Sequence, residues 1–163
     1  MASKSQTATP RRYLSEGERA RTRPAVGARA FRYAGALALL AMGAIHLEQY
    51  VNVSYSQIPT IGTLFLLNFA GGLVLSIALM SPLERLWEHR GRRALILLAL
   101  AGMAMAVASI VFLLISEGTP LFGFRESGYR PAIVFALAVE ALAMLCLGAF
   151  VAAQLRRSSP PPG

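Results

Sequence analysis

The sequence predicts an all-α integral membrane protein, built as a bundle of four transmembrane helices. Four apolar stretches carry this prediction, because each has about 20 residues or more, enough for a helix to cross the ~30 Å hydrocarbon layer of a bilayer. The chain has 163 residues, of which 55% are hydrophobic, and a mean hydropathy of +0.53. Backbone N–H and C=O groups inside lipid must be paired internally, which favours helices over open strands. The predicted spans are 33–52, 60–81, 94–116 and 132–154.

The flanks of these stretches mark where each helix begins and ends. The first span follows a polar, Arg-rich segment of 32 residues, which is predicted to be a disordered cytoplasmic tail. Pro59 and Pro131 stand where the second and fourth helices are expected to start, and a proline at the first helical position loses no hydrogen bond. Residues 155–163 form a second, short cytoplasmic tail. The four spans and their connections leave no room for another folded domain.

Positive charge predicts the orientation of the bundle. The net charge is +8 and the pI is about 10.8, values that would also suit a nucleic-acid-binding protein. However, fourteen of the sixteen Lys and Arg residues lie before the first span, between the second and third, or after the fourth. Only Arg125 and Arg130 lie between the third and fourth spans. The positive-inside rule therefore predicts both termini in the cytoplasm and no nucleic-acid partner.

Each span carries one polar side chain at a similar depth. At ~1.5 Å per residue, these side chains lie between ~9 and ~14 Å from the outer ends of their helices. Small residues on the same faces would allow the helices to approach closely. A carboxylate inside lipid needs a partner or must be protonated, and the imidazole in the first span is the candidate partner. The candidate intramembrane polar site is His46, Asn68, Ser109 and Glu140.

The serine and asparagine of this set also suit a simpler role as interhelical hydrogen-bond donors and acceptors. The shallower charged residues form a candidate rim, namely Glu48, Glu117, Arg125 and Glu126. The last three belong to the loop 117–131, which is either a cover over the polar site or an anchor in the membrane interface. No metal site or cofactor is predicted, since the methionines lack ligand spacing and Cys146 is alone.

Several short runs resemble a group of small four-helix integral membrane proteins of actinobacteria, to which no function is assigned. The runs are His46–Leu47, Tyr55–Gly62 (YSQIPTIG), Leu64–Asn68 (LFLLN), Leu121–Ser127 (LFGFRES) and Glu140. The resemblance covers the membrane region and implies a bacterial inner membrane, but no activity. The chain is also distantly similar, by architecture alone, to the DoxX-like four-helix group, which is tied to redox or sulfur metabolism.

Two functions remain open from the sequence. The first is a structural or accessory subunit that contacts the lipid bilayer and a membrane protein partner or a second copy of itself. The alternative is a small carrier or redox-linked protein that binds a proton, quinone or polar solute through His46 and Glu140. An enzyme ranks third, because no nucleophile–base pair or metal cluster is readable.

Overall fold

Four long helices make up the described part of the chain in the computed structural model. The structure describes residues 16–53, 55–120, 122, 125 and 130–157, and these contain no strand. The helices are α1 (Glu16–Asn52), α2 (Pro59–Met80), α3 (Leu83–Gly118) and α4 (Pro131–Arg156). A single 3-10 turn, Tyr55–Gln57, lies between α1 and α2. The all-α prediction is confirmed for this part of the chain.

Each helix contains a segment long and apolar enough to cross a membrane. These segments are Val26–Asn52, Thr60–Met80, Arg90–Gly118 and Pro131–Arg156. The structure thus has four helices that are long and apolar enough to span a membrane, and Pro59 and Pro131 are the first residues of their helices as expected. The residue before each proline is extended, with ψ of 100° at Ile58 and 155° at Arg130, because proline disfavours helical geometry in the residue before it.

The predicted tail differs from the structure over half its length. Helix α1 already begins at Glu16, so residues 16–32 are helical instead of disordered. Once a span has formed a helix, each added residue gains one backbone hydrogen bond without a new nucleation cost, so the helix can extend beyond the lipid-length segment. The remainder of this tail, residues 1–15, and the end of the second tail, residues 158–163, lie outside the described residues.

The packing of the bundle is centred on α1, which lies against both α2 and α4 and barely meets α3. Its core is apolar and includes Leu39, Met42, Leu147 and Phe150. Large apolar side chains also point away from the bundle: Leu145 is 73% exposed. An outer surface of this kind matches a protein whose solvent is lipid, since water-soluble monomers rarely expose large apolar patches.

Helices α1 and α2 approach most closely at two glycines. A Cβ built on Gly72 would lie 2.7 Å from the carbonyl oxygen of Leu39 and 3.3 Å from the Cα of Gly43. Contact between backbones is possible here only because neither residue carries a side chain. Asn68 lies one turn before Gly72, so this crossing brings its amide toward α1 and positions the polar residues described next.

Candidate polar cavity between the helices

A cavity of about 120 Å³ is lined by residues from all four long helices and from the turn Tyr55–Gln57. The four candidate residues predicted from the sequence all line it: His46 from α1, Asn68 from α2, Ser109 from α3 and Glu140 from α4. His46 is 8% exposed and Glu140 only 2%. The cavity is several times larger than a single water needs. The structure therefore brings the four intramembrane polar side chains to one place.

The imidazole of His46 has a defined orientation. Its Nδ1 lies 2.9 Å from the carbonyl oxygen of Met42, one turn earlier in α1. A carbonyl can only accept, so Nδ1 carries a proton and donates it to Met42. In the neutral imidazole, Nε2 then has a free lone pair. The ring lies beside Phe65, with centroids 5.1 Å apart. His46 thus presents a hydrogen-bond acceptor to the cavity.

Asn68 and Ser109 both meet this acceptor. Asn68 Nδ2 and Ser109 Oγ each lie 3.3 Å from His46 Nε2. Because Nε2 accepts, the amide of Asn68 must point its NH₂ group toward the ring, which leaves its oxygen directed elsewhere. The tautomer of one histidine therefore determines how the neighbouring amide is oriented.

Ser109 also lies close enough to Glu140 to interact with its carboxyl group. The serine hydroxyl consequently lies between the imidazole and the carboxyl group. The sequence-based expectation paired Glu140 with His46 directly, whereas the structure joins them through Ser109. The connection runs from α1 through α3 to α4, so three helices must be in place for it to exist.

Three buried oxygens at the cavity have no hydrogen-bond partner among the described residues. They are Glu140 Oε1, Asn68 Oδ1 and Gln49 Oε1. Gln49 is 7% exposed and lines the cavity, and its Nε2 donates to Glu48, so its oxygen faces away from that carboxylate. All three atoms are acceptors. These three oxygens therefore lack donors among the described residues, and an occupant that supplies N–H or O–H groups would satisfy them.

Aromatic side chains and one arginine form another part of the cavity lining. Tyr55 is stacked on Phe65 with centroids 4.8 Å apart. Arg130, the residue before α4, donates to the Tyr55 hydroxyl, and its guanidinium carbon lies 5.7 Å from the centre of the Tyr55 ring. Tyr55 and Arg130 were not predicted as part of the site. Their sequence signals, an aromatic residue just after one span and a cation just before another, also fit simple membrane anchoring.

The predicted rim does not coincide with this lining. Glu48 is exposed and accepts from Gln49 and Asn52, while Glu117 and Arg125 do not line the cavity. Arg125 instead donates through Nε to the Glu117 carbonyl oxygen at 3.3 Å. Glu126 and six other residues of the loop 117–131 lie outside the described residues. In the part that is described, no three His, Cys, Asp or Glu side chains converge as a metal site would require.

Four apolar helices, outward-facing apolar side chains and a buried polar cavity together support the class of multi-pass helical membrane proteins. No protein-family model, curated protein or solved structure matches the chain. The resemblance to the actinobacterial group stays a prediction.

Proposed function

We propose that this protein is a multi-pass protein of the bacterial inner membrane whose intramembrane cavity binds a small molecule bearing hydrogen-bond donors. One observation carries the proposal: three residues that line the cavity each hold a buried oxygen atom with no hydrogen-bond partner among the described residues. Each unpaired acceptor costs about 1–3 kcal/mol when buried, so a ligand that pairs with them recovers a substantial free energy. Ammonium groups, polyols and the hydroxyl groups of a quinol have this chemistry.

The aromatic side chains in the cavity lining favour a ligand with a ring among these candidates. Tyr55 and Phe65 offer flat apolar surfaces beside the polar residues, a combination typical of small-molecule sites. A ring with hydroxyl groups, such as a quinol head, would stack on these surfaces while donating to Glu140 and Asn68. An ammonium ion would be held mainly by the carboxyl group of Glu140.

The arrangement also supports proton transfer within the site. A proton that leaves the Glu140 carboxyl can be taken up by the Ser109 oxygen, as the Ser109 hydroxyl proton passes to His46 Nε2. The total charge of the cavity is the same before and after this step. Such neutrality matters inside a membrane, where a net charge at the centre costs several kcal/mol.

The orientation we propose has both termini in the cytoplasm, so the polar cavity lies in the outer half of the membrane. It rests on the asymmetry of positive charge, with fourteen of the sixteen Lys and Arg residues on one side. Reporter fusions to the two ends should both read as cytoplasmic. Ends on opposite sides of the membrane would refute this orientation.

Glu140→Gln tests the binding function, and Glu48→Gln is its control. Both variants remove a carboxylate from the outer half of the bundle, but only Glu140 lines the cavity. The probes are methylammonium, glycerol and a short-chain hydroquinone, added to purified protein in neutral detergent while the thermal unfolding midpoint is followed. We expect at least one probe to stabilise the wild type and Glu48→Gln, with the effect lost in Glu140→Gln.

Two results would contradict the binding function. Either none of the probes stabilises the wild type, or Glu140→Gln and Glu48→Gln respond alike. The structural or accessory subunit predicted first from the sequence stays a prediction. It would be favoured by a Glu140→Gln variant that loses a co-purifying protein while the response to every probe is unchanged.

A further inference from the structure

A second cavity lies toward the other end of α1, away from His46. It measures about 110 Å³ and is formed where α1 meets the start of α3. Its lining residues are Arg29, Arg32, Tyr33, Pro82, Glu84 and Arg85. Arg32 precedes His46 by 14 residues, which separates the two sites by ~21 Å along the helix. The second cavity is therefore independent of the polar site described above.

Arg32 is the buried member of this cavity. Its side chain is only 2% exposed, although an arginine carries a full positive charge and is almost never fully buried unless it is paired. Nη1 forms an ion pair with Glu84 at 2.5 Å, and Nη2 donates to the Tyr33 hydroxyl at 3.0 Å. The third nitrogen, Nε, is buried and has no hydrogen-bond partner among the described residues. A buried charged donor is thus left unsatisfied.

The charges around the cavity do not balance. Three guanidinium groups and one carboxylate line it, which leaves an excess of two positive charges. Glu84 is engaged by Arg32, while Arg29 and Arg85 are exposed side chains at the same cavity. The N–H donors of arginine form a fork that matches the oxygens of phosphate, as it does those of carboxylate.

We propose that this cavity binds a phosphate oxyanion, the charged group shared by an anionic phospholipid headgroup and free phosphate. The anion would accept from the unpaired Nε of Arg32 and from the guanidinium groups of Arg29 and Arg85. Its level in the bundle suits a headgroup, because Trp87, one turn beyond Leu83, is 62% exposed there, as interfacial tryptophans are. Clusters of arginine beside a membrane helix bind anionic lipid by the same attraction.

The test uses the full-length protein in neutral detergent and follows its thermal unfolding midpoint. Three additions are compared: phosphatidylglycerol, a neutral glycolipid with the same acyl chains but no phosphate, and inorganic phosphate. The variant is Arg29→Gln with Arg85→Gln. Its matched control is Arg90→Gln with Arg93→Gln, two exposed arginines of α3 that do not line the cavity.

We expect phosphatidylglycerol, and not the glycolipid, to raise the midpoint of the wild type and of the control. At about fivefold per arginine, the cavity variant should need about 30-fold more phosphatidylglycerol for the same shift. If inorganic phosphate raises the unfolding midpoint with the same dependence on Arg29 and Arg85, the proposed anion site is supported and free phosphate is its ligand. Equal weakening in both double variants, or no response to either phosphate source, would overturn the proposal.

Discussion

Replacing Gly72 with alanine should separate α2 from α1 and disturb the polar cavity. The added Cβ would lie 2.7 Å from the Leu39 carbonyl oxygen, whereas ordinary contact begins at 3.4 Å. Relief of the clash requires a displacement of about 0.7 Å, the difference between these two distances. Asn68 lies one turn away on the same helix. If it moves by the same amount, the 3.3 Å distance from Asn68 Nδ2 to His46 Nε2 becomes about 4.0 Å, too long for a hydrogen bond.

The change in stability caused by Gly72→Ala is best compared with that caused by Gly148→Ala. Overpacking costs about 1–3 kcal/mol, while alanine gains about 1 kcal/mol over glycine in a helix. Gly148→Ala gains the same helix propensity without a clash. A Cβ at Gly148 would lie 3.7 Å from its nearest neighbour, the flexible end of Met103. We expect Gly72→Ala to be less stable than Gly148→Ala by about 1–3 kcal/mol. The assay is reversible unfolding in detergent, followed by circular dichroism.

The same pair of variants offers a readout at the site. In Gly72→Ala, the imidazole ¹⁵N signals of His46 should shift as the contact with Asn68 is lost, and in Gly148→Ala they should not. Equal stability of the two variants, together with unchanged His46 signals, would refute the close approach of α1 and α2 as the feature that positions the site.

Two further predictions concern the hydrogen bonds of the cavity. In His89→Gln protein, where His46 supplies the only imidazole, ¹⁵N spectra should report a proton on Nδ1, and a neutral ring protonated on Nε2 would contradict the assigned orientation of the site. Ser109→Ala removes the hydroxyl that joins His46 to Glu140 and should destabilise the bundle by about 1–2 kcal/mol relative to Ser76→Ala. Ser76 is 1% exposed and lies outside the cavity, so equal unfolding of the two serine variants would argue against the bridge.

The convergence of the polar residues was predictable because depth in a membrane follows from counting residues. Hydropathy locates each span, and the rise per residue then gives the level of His46 or Glu140 within it. What counting cannot supply is the direction of each side chain around its helix axis. For this reason the sequence suggested a direct pairing of these two residues, while the structure inserts Ser109 between them.

The burial of two other polar residues depends on contacts between helices, which the sequence does not reveal. Gln49 follows Glu48 in a segment that the sequence indicates as interfacial, and only the packing of α1 against the other helices places Gln49 in the lining of the cavity. Arg32 looked like one of many topology-setting cations, yet it is buried against Glu84. Pairings between residues 52 positions apart are set by how helices meet, and a single sequence does not record that.

Helix α1, which is central to the packing of the bundle, is synthesised before all the helices that pack against it. Arg32 and His46 emerge from the ribosome well before Glu84, Asn68 and Ser109, and Glu140 comes last. A newly synthesised α1 therefore holds a cation and an imidazole whose partners on the other helices do not yet exist. Only the arrival of α4 completes the set, so a chain shortened before that helix would leave the polar side chains of α1, α2 and α3 without the helix that closes the cavity over them.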